Sequence, residues 1–300
     1  MLALAAAACA QRSLPPTDQA WAPKPAKPPA YRAPHSPHTR LADVLKRHVG
    51  STTWRDPVVD DDYLRSAYVM APPGSSVSRR FHPETRAWWI VLDGQIRFTI
   101  EGQQPFVAAK GSFVQVPLQT VYGMEVVGGR PALRFETQIA GARVLYPREA
   151  TPAPMAGFDW VPVKLGRRKG LWGEGNRPHV TFDDLVRTSK PDERGLSVQQ
   201  IVKDDRGAVN FIYGSEKALA PMNPKDKGHY HPECSEYWVI MAGRMRYAIE
   251  GQGVIIADVG DVVYVPPYTY HAPRFHGDAP ACRISMNGYP YVSHLFDDAK

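Results

Sequence analysis

Shifted by 149 positions, this 300-residue sequence matches itself. Phe81-His82-Pro83-Glu84 falls on Tyr230-His231-Pro232-Glu233, and Glu101-Gly102-Gln103 falls on Glu250-Gly251-Gln252. Trp89 meets Trp238, Gly94 meets Gly243, Gly111 meets Gly260, and Pro117 meets Pro266. Without a gap, 20 of the 56 positions from 80 to 135 are identical, where ordinary composition gives roughly three or four by chance. One domain therefore occurs twice, and whatever fold the chain adopts must be built two times.

Each copy reads as short strands. Trp88–Leu92 and Tyr237–Met241 are aromatic and β-branched runs that stop at glycine. Gln95–Ile100 and Arg244–Ile249 follow, and Gly111–Val116 and Gly260–Val265 end at proline. Turn signals every few residues point to an all-β sandwich or barrel. A short helix introduces each copy. Leu41–His48 carries apolar residues at Leu41, Val44 and Leu45 with Gly50 beyond its end. Thr181-Phe182-Asp183-Asp184 has capping-box-like spacing.

The second copy concentrates side chains that bind metals. His229 and His231 are two apart, so in a strand they share a face. Pro232–Ser235 reads as a hairpin loop that would set Glu236 directly across from His231. His271 follows Pro266 and can join from a neighbouring strand if the sheet closes. Three imidazoles and one carboxylate suit a single divalent ion. Glu233 recurs as Glu84, which favours a supporting role behind the ligands, and Cys234 reads as inert packing. At the four donor positions the first copy has Arg80, His82, Ala87 and Tyr122, so it is expected to hold no metal. Those residues form either a hydrogen-bonded cluster or a small anion pocket.

Beyond the donors, Trp238 shares the parity of Glu236 and is expected to face inward, and Tyr268, Tyr270 and Phe275 bring bulk around His271. These four are the expected substrate contacts, suited to an aromatic or oxygen-rich ligand. Arg246 and Arg283 match Arg97 and Arg134 of the other copy, which favours structural pairing.

The net charge of +6 lies mainly in the first 40 residues, where five basic residues face Asp18 alone. With no nucleic-acid motif in the body, that class of partner is set aside. Eight prolines fall between Pro15 and Pro37, a composition that suits a disordered extended linker. Residues 1–10 read as a secretory signal ending at Ala8-Cys9-Ala10, or as a lipoprotein segment with Cys9 as the lipid anchor. The first reading places the protein in the periplasm or outside the cell, and the second ties it to a membrane. Without export it is cytoplasmic. No apolar run in the body is long enough to span a bilayer. Three cysteines cannot form a disulfide framework.

Gly228, His229, His231, Glu236 and Gly243, followed by Gly260, Pro266 and His271, resemble the two motifs of the cupin superfamily. Tyr268 stands where the second motif has glycine, and Phe275 where it ends in asparagine. The resemblance implies two tandem jelly-roll β-barrels, a bicupin. Its expected divisions are a signal or lipoprotein segment over 1–10, a proline-rich linker over 11–38, a degenerate barrel over 39–150 and a metal-binding barrel over 151–300. It further implies one divalent metal per chain, Fe(II) or Mn(II) before Ni, Cu or Zn, held by His229, His231, Glu236 and His271. A small-molecule substrate and a homo-oligomer accord with it. Two classes of function stay open. One is a metal-dependent oxidoreductase, led by dioxygenase chemistry with decarboxylase or isomerase variants. The other is a bicupin that binds a small ligand without turnover.

Overall fold

The computed structural model describes residues 20–298 apart from 169, 171, 194 and 219–222. The signal, lipid-anchor and Cys9 expectations lie outside the described residues. Each copy forms two facing sheets, and the expected strands are present within two residues at either end. In the first copy a six-stranded sheet faces one of four strands, and in the second a six-stranded sheet faces one of five.

The middle strand of each large sheet is buried on both faces, which its unbroken apolar run dictates. Ala87, Trp89 and Val91 fill the first barrel, while Trp88, Ile90 and Leu92 point the other way into a shared core. In the second copy, Trp238 and Ile240 fill the barrel, and Tyr237 and Val239 join the shared core. The two large sheets thus pack on one another, with Trp88, Phe135, Phe211 and Met286 sealed between them. Burying each such side chain contributes roughly 1.5–3 kcal/mol. Ser66 Oγ lies 2.7 Å from the Tyr237 hydroxyl, so the seam also has a satisfied polar contact.

The introductory elements are exchanged. Strand His38–Thr39 precedes the first barrel but pairs with Val262–Val265 of the second. Strand His179–Val180 precedes the second barrel but pairs with Phe113–Val116 of the first. Helices Leu41–Arg47 and Phe182–Arg187 follow these strands. Thr181 caps the second helix, accepting from the Asp184 amide at 3.1 Å. Arg40 cannot cap the first helix, and Asp261 of the other barrel accepts the Leu41 amide at 2.9 Å instead.

Over its described part, from residue 20, the proline-rich stretch lies against the second barrel. Its side chains find partners on the second barrel. Lys24 pairs with Glu250 at 2.9 Å, the Tyr31 hydroxyl donates to the Tyr264 carbonyl, and His35 stacks on Tyr264.

Candidate metal centre

His229, His231, Glu236 and His271 converge, with one donor atom from each lying within 4.8 Å of the others. They form the one such group of His, Cys, Asp and Glu side chains among the described residues. His229 lies in the short strand His229–Tyr230, directly across from His271 in strand His271–His276. Glu236 opens strand Glu236–Ala242, which pairs with Val262–Val265 and Ala281–Asn287. Residues 232–235 are therefore a corner between two sheets, and the expected hairpin is corrected. The donors meet across the barrel mouth rather than along one ladder.

The backbone orients the imidazoles. His231 donates from Nδ1 to the Ser293 carbonyl at 2.7 Å, and His271 from Nδ1 to the Thr269 carbonyl at 2.9 Å. Each bond leaves Nε2 directed at Glu236 Oε2, at 3.0 Å from His231 and 3.3 Å from His271. Ser285 donates to the other carboxylate oxygen, Oε1, at 2.5 Å. Burial alone would raise the Glu236 carboxyl, but hydrogen bonds from His231 and His271 outweigh it and hold it well below the usual carboxylate range. Burial, together with the neighbouring His271, pushes His229 well below the ordinary imidazole value and keeps it neutral. Burial would lower His231, but its hydrogen bond to Glu236 outweighs that and raises it above the ordinary imidazole value. A divalent ion requires neutral imidazoles and an ionised carboxylate, so it would displace that proton on binding.

Asn287 supports the same fit. It is paired with Glu236 across the ladder and faces inward, and its buried Nδ2 has no partner. An orphaned donor beside the carboxylate suits an oxygen ligand inside the barrel.

Three supports were not legible in the linear order. Residues 288–298 form a strap over the mouth. In it, Leu295–Phe296 pairs with His229–Tyr230, and the Asp297 amide donates to the Gly228 carbonyl. The strap delivers the Ser293 carbonyl to His231. It also delivers His294, whose ring centroid lies 4.9 Å from that of His229 and 4.6 Å from that of His231. Ser285, the third, occupies the place of Glu136 in the first copy. Only a longer repeat comparison, allowing one inserted residue, aligns Arg143-Val144-Leu145 with Ser293-His294-Leu295.

Glu233 accepts the Ser293 amide at 3.2 Å and so fixes the carbonyl that orients His231. Cys234 is buried, and burial pushes its thiol up to about 12, so it stays protonated. Of the expected substrate contacts, Trp238 lies nearest the donors, with its ring 5.3 Å from His271. It is 1% exposed and packs on Tyr247, so it backs the centre from inside. Phe275 is buried in the barrel core beside Gly214, away from the mouth. Tyr268 and Tyr270 sit with Tyr230, on the opposite face of the His229–His231 segment, and Lys24 and Lys227 lie over the Tyr270 ring. The structure thus does not bring these three to the donors. Phe275 shares the face of His271 but lies four residues further along its strand. Tyr268 and Tyr270 turn outward to Tyr230, where Lys24 of the N-terminal stretch covers Tyr270.

The first copy shows what the same fold does without donors. His82 donates from Nδ1 to the Arg143 carbonyl at 2.9 Å, and its Nε2 lies 3.1 Å from the buried Tyr122 hydroxyl. The Arg80 guanidinium lies over the Tyr146 ring. This is a closed hydrogen-bonded cluster. Glu84 pairs with Arg143, so the Glu84–Arg143–His82 chain repeats Glu233–Ser293–His231. Arg134 pairs with the buried Glu136 at 3.3 Å, whereas Arg283 lies over the Phe275 ring and its Nε has no hydrogen-bond partner.

The family model described as Cupin domain matches residues 67–135 and again residues 218–286. Salicylate 1,2-dioxygenase from Pseudaminobacter salicylatoxidans has a similar fold, with a TM-score of 0.65 and 10% identity over 86% of this chain and 87% of that one. An oxalate decarboxylase from Lactobacillus farciminis, solved as a formate complex, gives a TM-score of 0.54 and 12% identity over 91% of each chain. An oxalate decarboxylase variant from Bacillus subtilis gives 0.53 and 15%, over 89% of this chain and 80% of that one. A search of curated proteins finds no match.

Proposed function

This chain carries two cupin domains in tandem, and from that premise we propose that the second is a mononuclear metal centre of an oxidoreductase with dioxygenase-like chemistry. The substrate is a small oxygen-rich or aromatic molecule that chelates the ion. The convergence of four donor atoms within 4.8 Å carries this reading. His229, His231, Glu236 and His271 would hold the ion, with Fe(II) or Mn(II) favoured by a mixed imidazole and carboxylate set. When bound, the ion supplies Lewis acidity and access to dioxygen.

The remaining chemistry belongs to the chain. Glu236 cancels half the charge of a divalent ion, so a chelating anion is still attracted. The Ser293 and Thr269 carbonyls fix two imidazoles in the ligating tautomer. Trp238 and Tyr247 close the barrel behind the donors and keep water to the mouth side. Likeness of fold to a salicylate dioxygenase, whose variant was also solved with gentisate, supports testing aromatic acids first.

The test is metal analysis of protein purified without oxygen, beside a His229→Ala, His271→Ala variant. About one metal per chain is expected, lost in the variant. Two metals per chain, or unchanged content in the variant, would sink the assignment. Dioxygen uptake is then followed with Fe(II) and a panel of catechols, β-diketones, flavonols, gentisate and salicylate. Metal loading with no turnover of any member would move the reading to a ligand-binding bicupin. Formate release from oxalate without net dioxygen uptake would move it to a decarboxylase.

A further inference from the structure

The strap over the second barrel has a counterpart that isolates what His294 adds. In the first copy, Leu145 bridges to Phe81 just as Leu295 pairs with Tyr230. Arg143 and Ser293 each offer a carbonyl to the histidine below. Between that carbonyl and the bridging leucine, Val144 occupies in one barrel the place that His294 holds in the other. The strap therefore holds its shape without an imidazole. The histidine is found only where the four donors are, and it joins Arg80/His229, Ala87/Glu236 and Tyr122/His271 as a position that differs between the copies.

His294 also sits on the side from which a ligand must come. His231, Glu236 and His271 are buried, whereas His229 and His294 are half-buried and Phe296 is half exposed. The Phe296 ring lies 5.2 Å from His229 and 6.3 Å from His294. These three rings border the approach to the donors. His294 is not one of the four converging donors. A neutral imidazole outside the donor set has one nitrogen free to accept a hydrogen bond.

We propose that His294 positions the substrate, accepting a hydrogen bond from a protic oxygen of a chelating ligand held at the partly exposed side of the centre. The proposal rests on the metal reading above and narrows it. The substrate class is one whose chelating pair keeps a hydroxyl proton, such as a catechol monoanion or a hydroxy acid. A dianion with no proton to offer gains nothing from His294.

The experiment compares His294→Val, which installs the first barrel's own residue, with His294→Asn and the wild-type chain. Mn(II) uptake is measured alone, by loss of the free-ion paramagnetic signal. Binding of 4-nitrocatechol and of oxalate to the Mn(II)-loaded proteins is then measured by titration without turnover. His294→Val should take up Mn(II) within about threefold of wild type, lose roughly tenfold or more in 4-nitrocatechol affinity, and keep oxalate within about twofold. His294→Asn, which retains a hydrogen-bonding side chain, should recover most of the loss. Unchanged 4-nitrocatechol affinity, or equal losses for both probes, overturns the proposal alone. A tenfold loss of Mn(II) affinity in His294→Val makes the residue a metal ligand and also overturns it. A wild-type chain that takes up no Mn(II) or other divalent ion overturns the metal reading and this proposal with it.

Discussion

Ser285 hydrogen-bonds the carboxylate oxygen that the histidines do not use, and it replaces a glutamate that in the other barrel meets arginine. A residue behind a ligand sets the ligand's direction, and its loss costs 10–100-fold in metal affinity in typical sites. Ser285→Ala is expected to weaken Mn(II) binding about tenfold, read by titration, with the melting temperature little changed. Equal affinity in the variant would show that Glu236 needs no such support. The donors themselves were legible because His-x-His, a carboxylate five residues on and a later histidine keep fixed spacing in strands. Ser285 was not, because a serine in an alternating strand looks like any small inward residue. His294 was not, because it lies beyond strand Ala281–Asn287 in a tail where no periodicity ties it to the barrel. Tyr268 shows the opposite error. It takes a positive φ of 60° at the turn where glycine was missed, as Gln119 does at 53° in the other copy. That turn sends its ring outward, and its amide donates to the His231 carbonyl.

At the scale of elements, the strand His38–Thr39 and helix Leu41–Arg47 depend on a side chain from a distant part of the sequence. Asp261 takes the Leu41 amide on one oxygen and His38 Nε2 on the other, at 2.8 Å. Burial would raise its carboxyl, but His38 and the amides of Asp258 and Leu41 outweigh that and lower it. A depressed carboxyl contributes stability above its unfolded value, ordinarily 3.8, and loses it as pH falls through the lower folded value. Asp261→Asn should therefore lower the melting temperature at pH 7, by about 1–3 kcal/mol of stability, and the difference from wild type should shrink as pH falls below about 4. A difference that stays constant down to pH 2 would assign the loss to packing. The strand set was legible from alternation and turn residues. The exchange of the arms was not, because a two-residue strand carries no sign of which edge it joins.

The whole molecule is two barrels with one continuous seam, and its parts cross over in both directions. The linker between them passes through an exposed stretch around Met155–Leu165 that forms no long strand or helix. A break there severs the chain without removing a single exchanged contact. Fragments 1–154 and 155–300, produced together, should co-purify as a one-to-one complex and take up about one Mn(II) per pair. Produced alone, each lacks the arm that covers its sheet edge and should aggregate or self-associate. Fragments that part on gel filtration would show that the linker, rather than the exchange, holds the halves together.

The reciprocal arms also bear on how the first barrel came to differ. A single copy, arm and barrel together, presents both halves of the same handshake, so two separate chains of that kind would clasp as a symmetric pair. Joined end to end, two such chains would keep that pairing inside one polypeptide, as the exchanged strands do here. Each partner's duty to the other is then discharged at the seam and the sheet edge, far from the barrel mouths. The first mouth is thus free to go without the donors while its barrel remains the wall against which the second one stands.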